Sequence, residues 1–218
     1  VIHVPYSNSM SFSRRIRAFI EFAWLASRQA SKHEADVVFA TSTPLTIAIP
    51  GIVARLRHRI PMVFEVRDLW PELPIAVGAL KNPQAKTAAY WLEWIAYHSA
   101  KHIIALSPGM AEGVISRGVP ADRVTVIPNS CDLDLFDVPP ERGQPVRDSL
   151  KLASDQPLIV YTGTLGLING VDYLVEVAAT MQDIAPQVRF LLVGDGARKE
   201  AVSSRAEKAG VLGRNLAM

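Results

Sequence analysis

Apolar, β-branched segments alternate along the chain with segments of helical periodicity. Apolar residues recur at helical spacing after Ser11, a residue suited to a helix N-cap, and this predicts an amphipathic helix over residues 12–30. Buried strands are predicted at residues 36–40, 61–66, 101–106 and 124–127, with helices at 45–57, 84–100 and from Pro108 to Gly118. This alternation is typical of a doubly wound α/β domain, whose parallel sheet carries helices on both faces.

The composition changes over residues 137–157, where four prolines and Gly143 stand among charged residues. We therefore predict a first domain over residues 1–140, a linker over 141–157 and a second domain over 158–218. In the second domain, strands are predicted at 158–161 and 188–193, and helices at 170–182 and 197–209. Only two strands fit before Met218, and the chain opens on a strand-like segment, so we expect both domains to be incomplete.

Composition and charge exclude several classes of protein. With 49% hydrophobic and 20% charged residues and a net charge of +2, the chain is typical of a globular protein and gives no reason to expect a nucleic-acid partner. Cys131 is the only cysteine, so no internal disulfide can form, and the five histidines lack metal-ligand spacing. The longest apolar stretch is shorter than the roughly 20 residues of a membrane-spanning helix.

The first 60 residues carry eight basic and three acidic side chains, so this end of the chain is suited to a negative surface. Phenylalanines and Trp24 alternate with arginines in the predicted helix between Ser11 and Lys32. Such a helix either lies on a membrane surface or covers one face of the sheet.

The turn after the strand at 158–161 is rich in small residues. Its candidate phosphate-binding residues are Gly163, Thr164, Gly166 and Asn169. Small residues between a strand and a helix allow backbone amides to approach a phosphate, although the same turn could simply pack helix on strand. The spacing matches neither the dinucleotide-binding nor the P-loop fingerprint.

Gly194 and Asp195 follow the next strand, at the edge of the sheet where open α/β folds bind ligands. Asp195 is a candidate ribose-binding acid. The alternative is a tight turn in which Asp195 caps the following helix.

Arg67 and Asp68 follow the apolar strand at 61–66, where ligands bind in this architecture. They are candidate catalytic residues; the alternative is a structural ion pair of Arg67 with Glu65 or Asp68.

Three further residues are candidates for binding a sugar acceptor. Trp70 is suited either to stacking on a sugar or to covering the core, and Glu72 lies two residues further along the chain. Asn129 follows the last strand of the first domain and either forms a turn or lies at the mouth of a ligand cleft.

Several motifs occur in the order known from one enzyme family. They are Phe64–Glu72, Leu106–Met110, Val126–Asn129 with Asp132 and Phe136, Gly163-x-x-Gly166 and Leu192–Gly196. Together they resemble glycosyltransferase family 4, and most closely its O-antigen, capsule and exopolysaccharide branch. The resemblance implies a GT-B fold, in which two Rossmann-like domains face each other across a cleft.

The resemblance also implies the chemistry. Family members are retaining transferases that generally work without a bound metal or cofactor and take a nucleoside-diphosphate sugar as donor. In this branch the acceptor is often a saccharide or a polyprenyl-diphosphate-linked saccharide, which implies a cytoplasmic enzyme in peripheral contact with the inner face of the plasma membrane. By resemblance, Gly163, Thr164 and Gly166 meet the donor diphosphate, while Arg67 and Asp68 lie beside the transferred sugar.

Two departures from the family pattern limit this comparison. Thr164 and Asn169 stand where many members carry an arginine and a lysine that neutralise the diphosphate. The acidic E-x7-E segment should lie beyond Met218, so we expect the 218-residue chain to be inactive by itself. The alternatives are a sugar-nucleotide epimerase of the same fold and a non-catalytic sugar-nucleotide binding module; a nicotinamide-dependent oxidoreductase would need a different glycine spacing.

Overall fold

The computed structural model describes residues 1–7, 10–78, 80–153 and 155–218. Contacts between residues divide the chain into two compact units, Val1–Ser130 and Cys131–Met218. The division precedes the predicted linker, so residues 141–157 belong to the second unit. A hydrogen bond of 2.9 Å from the side-chain amide of Gln156 to the carbonyl oxygen of Gln187 connects this segment to the rest of the second unit.

The first unit is built on a parallel sheet with the order β1-β2-β3-β4. Its strands are β1 (Val38–Thr41), β2 (Met62–Val66), β3 (His102–Ala105) and β4 (Val124–Val126). In the register of the sheet, Phe64 lies between Ala40 and Ile103. All four strands were predicted from the sequence to within a few residues, because their apolar residues form near-continuous runs.

The described part of the first unit has five α-helices, and all but the short helix at Glu72–Ala76 begin and end near the predicted residues. They are α1 (Phe12–Ala30), α2 (Ala48–His58), α3 (Glu72–Ala76), α4 (Pro83–Ser99) and α5 (Pro108–Ser116). Ser107 caps α5, since its hydroxyl accepts a hydrogen bond of 3.3 Å from the amide of Met110. Ser11 occupies the N-cap position of α1 but makes no side-chain capping bond.

One face of the first sheet forms the core. Alternate residues of β2, such as Met62 and Phe64, are fully buried with residues of α4 and α5. Helix α2 packs on the same face, where a Cβ at Gly51 would lie 2.9 Å from the sulfur of Met62. The opposite face is half-exposed, and Phe39 retains 55% of its accessible surface. The described helices lie on one face of this part of the sheet, because each strand neighbours the next in sequence and its crossover returns on one side.

Helix α1 packs against α2, with Ala18 and Ala23 buried. No described helix combines the length and the apolar composition that a bilayer crossing requires.

The second unit contains a smaller parallel sheet with the order β5-β6-β7. Its strands are β5 (Leu158–Thr162), β6 (Arg189–Val193) and β7 (Leu216–Ala217), and its helices are α6 (Leu133–Phe136), α7 (Gln144–Ser149), α8 (Asp172–Ile184) and α9 (Lys199–Lys208). The prediction of only two strands was wrong. The two residues of β7 are too few to show a periodic pattern in the sequence. The strand is positioned by a tertiary contact: the carbonyl oxygen of Asn215, directly before β7, accepts a hydrogen bond of 2.7 Å from the amide of Phe190.

Candidate active site

A polar cavity of about 540 Å³ lies at the carboxyl-terminal edge of the first sheet. Its lining residues are Thr41, Ser42, Thr43, Arg67, Asp68, Leu106 and Asn129. They follow four neighbouring parallel strands, so they meet at one edge although they are far apart in sequence. The structure thus brings together three of the predicted site residues, Arg67, Asp68 and Asn129.

Hydrogen bonds between the ends of β1 and β2 hold this cavity in shape. The buried hydroxyl of Ser42 accepts from the amide of Arg67 at 2.8 Å, and the amide of Ser42 donates to the carbonyl oxygen of Glu65 at 2.8 Å. The hydroxyl of Thr43 donates to the carboxylate of Asp68 at 2.9 Å, and Thr41 donates to that of Glu65. Both carboxylates are therefore oriented by threonines.

The guanidinium of Arg67 makes no ion pair with Glu65 or Asp68 among the described residues. The structural pair considered from the sequence is therefore absent. Because the side chain is exposed at the rim of the cavity, its positive charge is available to a ligand.

The sequence analysis did not identify Thr41, Ser42 and Thr43 as site residues. Thr43 has φ = 116°, a backbone conformation that costs about 1–3 kcal/mol in a residue other than glycine and often occurs at functional sites. A run of three hydroxyl residues at the carboxyl end of a parallel strand is the signal that could have identified them.

Trp70 and Glu72 do not line the cavity. The half-buried ring of Trp70 packs against the core cluster of the first unit, which agrees with the core interpretation of this residue. The carboxylate of Glu72 forms an ion pair with Arg117, in the turn after α5. Of the three residues predicted to bind a sugar acceptor, Asn129 therefore lines the cavity, whereas Trp70 and Glu72 do not.

Arg117 also links Glu72 to a second carboxylate inside the first unit. Its Nε lies 3.4 Å from Oε2 of Glu93, and its guanidinium lies 4.9 Å from the ring centroid of Tyr90. Burial raises the pKa of Glu93 to about 7, although a hydrogen bond with Tyr97 works in the opposite direction. Burial, followed by the nearby carboxylate, also raises the pKa of Tyr97.

This buried carboxyl predicts a pH dependence of stability. The native protein retains the proton of Glu93 up to about pH 7, whereas the unfolded chain releases it near the ordinary pKa of 4.5. The free energy of unfolding should therefore fall by about 3 kcal/mol as the pH rises through these two values. In Glu93→Gln this fall should disappear.

The measurement is urea unfolding of the first unit followed by tryptophan fluorescence, since all four tryptophans lie in that unit. Glu112→Gln, a change at an exposed residue of α5, serves as the control. Equal pH profiles for the wild type and Glu93→Gln would contradict the assignment.

In the second unit, the turns after β5 and β6 run side by side. The amide of Gly163 donates to the carbonyl oxygen of Val193 at 3.0 Å, and that of Leu165 donates to the carbonyl oxygen of Asp195 at 2.9 Å. A Cβ at Gly194 would overlap the carbonyl oxygen of Gly163, so the absence of a side chain at Gly194 permits this contact. The two glycine-rich segments predicted as a donor site therefore form one paired structure.

This paired structure leaves backbone donors exposed. Within the described residues, the amides of Thr164 and Gly166 donate to no protein group, whereas those of Gly163 and Leu165 are used. Leu165 is buried and anchors the turn, and the hydroxyl of Tyr161 donates to the carbonyl oxygen of Thr164 at 3.0 Å. Unused amides on an anchored turn can donate to an anion.

Two cations missed by the sequence analysis flank the paired turns. Arg198 donates through its amide to the carbonyl oxygen of Leu165 at 2.9 Å and through its guanidinium to Asp172, the first residue of α8, at 2.8 Å. The ammonium of Lys199 lies 3.7 Å from the exposed carboxylate of Asp195. The N-cap residue of α9 is Arg198, so Asp195 does not cap that helix. The signal available in the sequence was the position of Arg198 and Lys199, which follow Gly196 after one intervening residue.

Comparison with known proteins establishes the family. Residues 1–135 match the profile of Glycosyltransferase Family 4, to which the chain belongs. The putative colanic acid biosynthesis glycosyl transferase WcaI of Escherichia coli (strain K12) is 27% identical over 153 residues, which are 68% of this chain and 37% of that protein. The α-maltose-1-phosphate synthase of Mycolicibacterium smegmatis is 30% identical over 164 residues, covering 73% of this chain and 40% of that protein. The chain thus spans less than half the length of these curated relatives.

The fold comparison agrees with this assignment. The crystal structure of Anabaena Alr3699/HepE in complex with UDP-glucose aligns with a TM-score of 0.67 at 20% sequence identity, over 95% of this chain and 53% of that one. The α/β fold of GT-B type predicted from the motifs is therefore confirmed.

Proposed function

We propose that this chain acts in the transfer of a sugar, with retention of configuration, from a nucleoside-diphosphate sugar to a saccharide or polyprenyl-diphosphate-linked acceptor in the synthesis of a cell-surface polysaccharide. The observation that carries the proposal is the anchored turn of the second unit, with the unused amides of Thr164 and Gly166 beside Arg198. Membership of glycosyltransferase family 4 supports the reaction class.

In this proposal the turn holds the donor diphosphate. As the bond from the anomeric carbon to the diphosphate breaks, negative charge grows on the leaving oxygen, and the amides stabilise it. Thr164 and Asn169 carry no charge, so the cationic donors of this site are Arg198 and Lys199, each of which also pairs with a carboxylate of the second unit. Binding of UDP-glucose by the structurally similar Anabaena protein supports a donor of this chemical class.

The first unit binds the acceptor and the reacting sugar in the cavity of Arg67 and Asp68. The carboxylate of Asp68, oriented by Thr43, accepts hydrogen bonds from sugar hydroxyls, and the uncompensated Arg67 binds an anionic group of either substrate.

An adjoining apolar cavity supports a lipid-linked acceptor. It measures about 470 Å³, shares Thr41 and Thr43 with the polar cavity and is lined on its far side by Phe19 and Phe22 of α1. The polar head of such an acceptor would occupy one cavity and its apolar chain the other. The basic residues of α1 would then face an anionic membrane surface.

The donor site is tested by titrating UDP into the chain by isothermal calorimetry. Because Arg198 provides a charge-assisted contact, Arg198→Gln should weaken UDP binding about tenfold. Arg205→Gln is the matched control, since Arg205 lies on the same helix and also pairs with a carboxylate of α8, that of Glu176. Equal affinities of the two variants would refute the donor-site assignment.

A second experiment separates the transferase from the epimerase alternative. The full-length gene product is incubated with UDP-glucose, with and without a polyprenyl-diphosphate-linked saccharide. A transferase consumes the donor only in step with product formed on the acceptor. Epimerised donor formed without acceptor would support the epimerase, and binding without any turnover would support a binding module.

A further inference from the structure

A cavity of about 880 Å³ lies away from the candidate active site. It is lined by residues that immediately precede three strands, namely Pro61 before β2, Lys101 before β3 and Arg123 before β4, together with the last turns of α2 and α4. It therefore lies at the amino-terminal edge of the first sheet. The strands separate it from the polar cavity at the other edge by about 15 Å.

Cations dominate the lining of this cavity. Arg55, Arg59, Lys101 and Arg123 carry four positive charges, and Asp122 is the single acidic lining residue. None of the four cations forms an ion pair within the described part of the chain. A concave surface of one charge sign focuses its electric field and concentrates counter-ions.

One of these cations has a hydrogen-bond partner in the described part of the chain. The guanidinium of Arg123 donates to the carbonyl oxygen of Ala100, which follows the end of α4. Arg55, Arg59 and Lys101 make no hydrogen bond to another described residue through their side chains, so their donors are free. His102 also lines the cavity, and its Nε2 lies 2.8 Å from the hydroxyl of Thr125.

We infer that this basic cavity is a second anion site, distinct from the donor site, which binds a phosphate-bearing group. Free guanidinium and ammonium donors around one concavity match the multiple oxygens of a phosphate or diphosphate. The phosphate is carried either by a free anion or by the headgroup of an anionic lipid.

The test measures binding of two probes to the intact chain, inorganic pyrophosphate and vesicles of phosphatidylglycerol in phosphatidylcholine. Trp94 stacks on His98 of the cavity with ring centroids 4.4 Å apart, so tryptophan fluorescence reports on this site. The donor turn lies in the second unit, which has no tryptophan.

The double variant Arg59→Asn/Lys101→Gln changes two exposed cavity residues and should weaken binding about tenfold. Arg57→Gln/Lys81→Gln removes the same charge at exposed positions outside the cavity and should bind like the wild type. A loss of pyrophosphate binding identifies a free anion as the ligand, and a loss confined to vesicles identifies a lipid headgroup. Equal affinities of the two double variants, or no binding of either probe to the wild type, would overturn the inference.

Discussion

Replacement of Asp68 by asparagine is expected to lower the rate of sugar transfer about a hundredfold or more. The asparagine side chain keeps the size of the aspartate and can still accept a hydrogen bond from Thr43, whose hydroxyl donates to Asp68 at 2.9 Å. The negative charge would be lost, and with it the charge-assisted hydrogen bonds that we propose Asp68 makes to the reacting sugar. The measurement is kcat and KM for transfer by the full-length gene product.

Asp36→Asn is the control for this experiment, since Asp36 is exposed and precedes β1 rather than following it. Both variants should unfold at the urea concentration of the wild type within error. A wild-type kcat in Asp68→Asn would remove Asp68 from the catalytic machinery, whereas a change in KM alone would limit its role to binding.

Replacement of Gly194 by alanine is expected to destabilise the second unit by about 3 kcal/mol and to abolish UDP binding. The new Cβ would overlap the carbonyl oxygen of Gly163, which is backbone and cannot rotate away. The turns after β5 and β6 must then separate, which breaks the hydrogen bond between the amide of Gly163 and the carbonyl oxygen of Val193.

The two units offer separate signals for this experiment. Far-UV circular dichroism follows both, while tryptophan fluorescence follows only the first. Gly194→Ala should therefore lower the urea midpoint seen by circular dichroism and leave the fluorescence transition in place. Gly109→Ala, at a helical position where a Cβ meets nothing within 4 Å, should be neutral or slightly stabilising. An unchanged stability of Gly194→Ala would show that the paired turns can separate without cost.

The two glycine-rich segments combine both interpretations considered from the sequence. The turn at Gly163 does pack tightly, since Gly194 and Gly163 touch through their backbones. The same contact aligns the turn so that the amides of Thr164 and Gly166 are left without protein partners among the described residues. Structural and ligand-binding roles for these glycines are therefore compatible, because the tight packing is what presents the free donors.

Local patterns in the sequence determined the class of fold and the order of its elements. Apolar runs and helical spacing report on the burial of each segment by itself, so β1 to β6 and the main helices were predicted. Ser107 and Pro108 also marked the start of α5, because capping depends on neighbouring residues. The ordered motifs were sufficient to identify glycosyltransferase family 4.

Only the tertiary structure decided which distant residues meet. The parallel order of the strands brings Thr41, Ser42 and Thr43 to Arg67 and Asp68, while an ion pair with Arg117 holds Glu72 elsewhere. The two residues of β7 likewise had no local signal. The physical reason is that such contacts depend on the path of the chain between the segments, which the periodicity of a single segment does not encode.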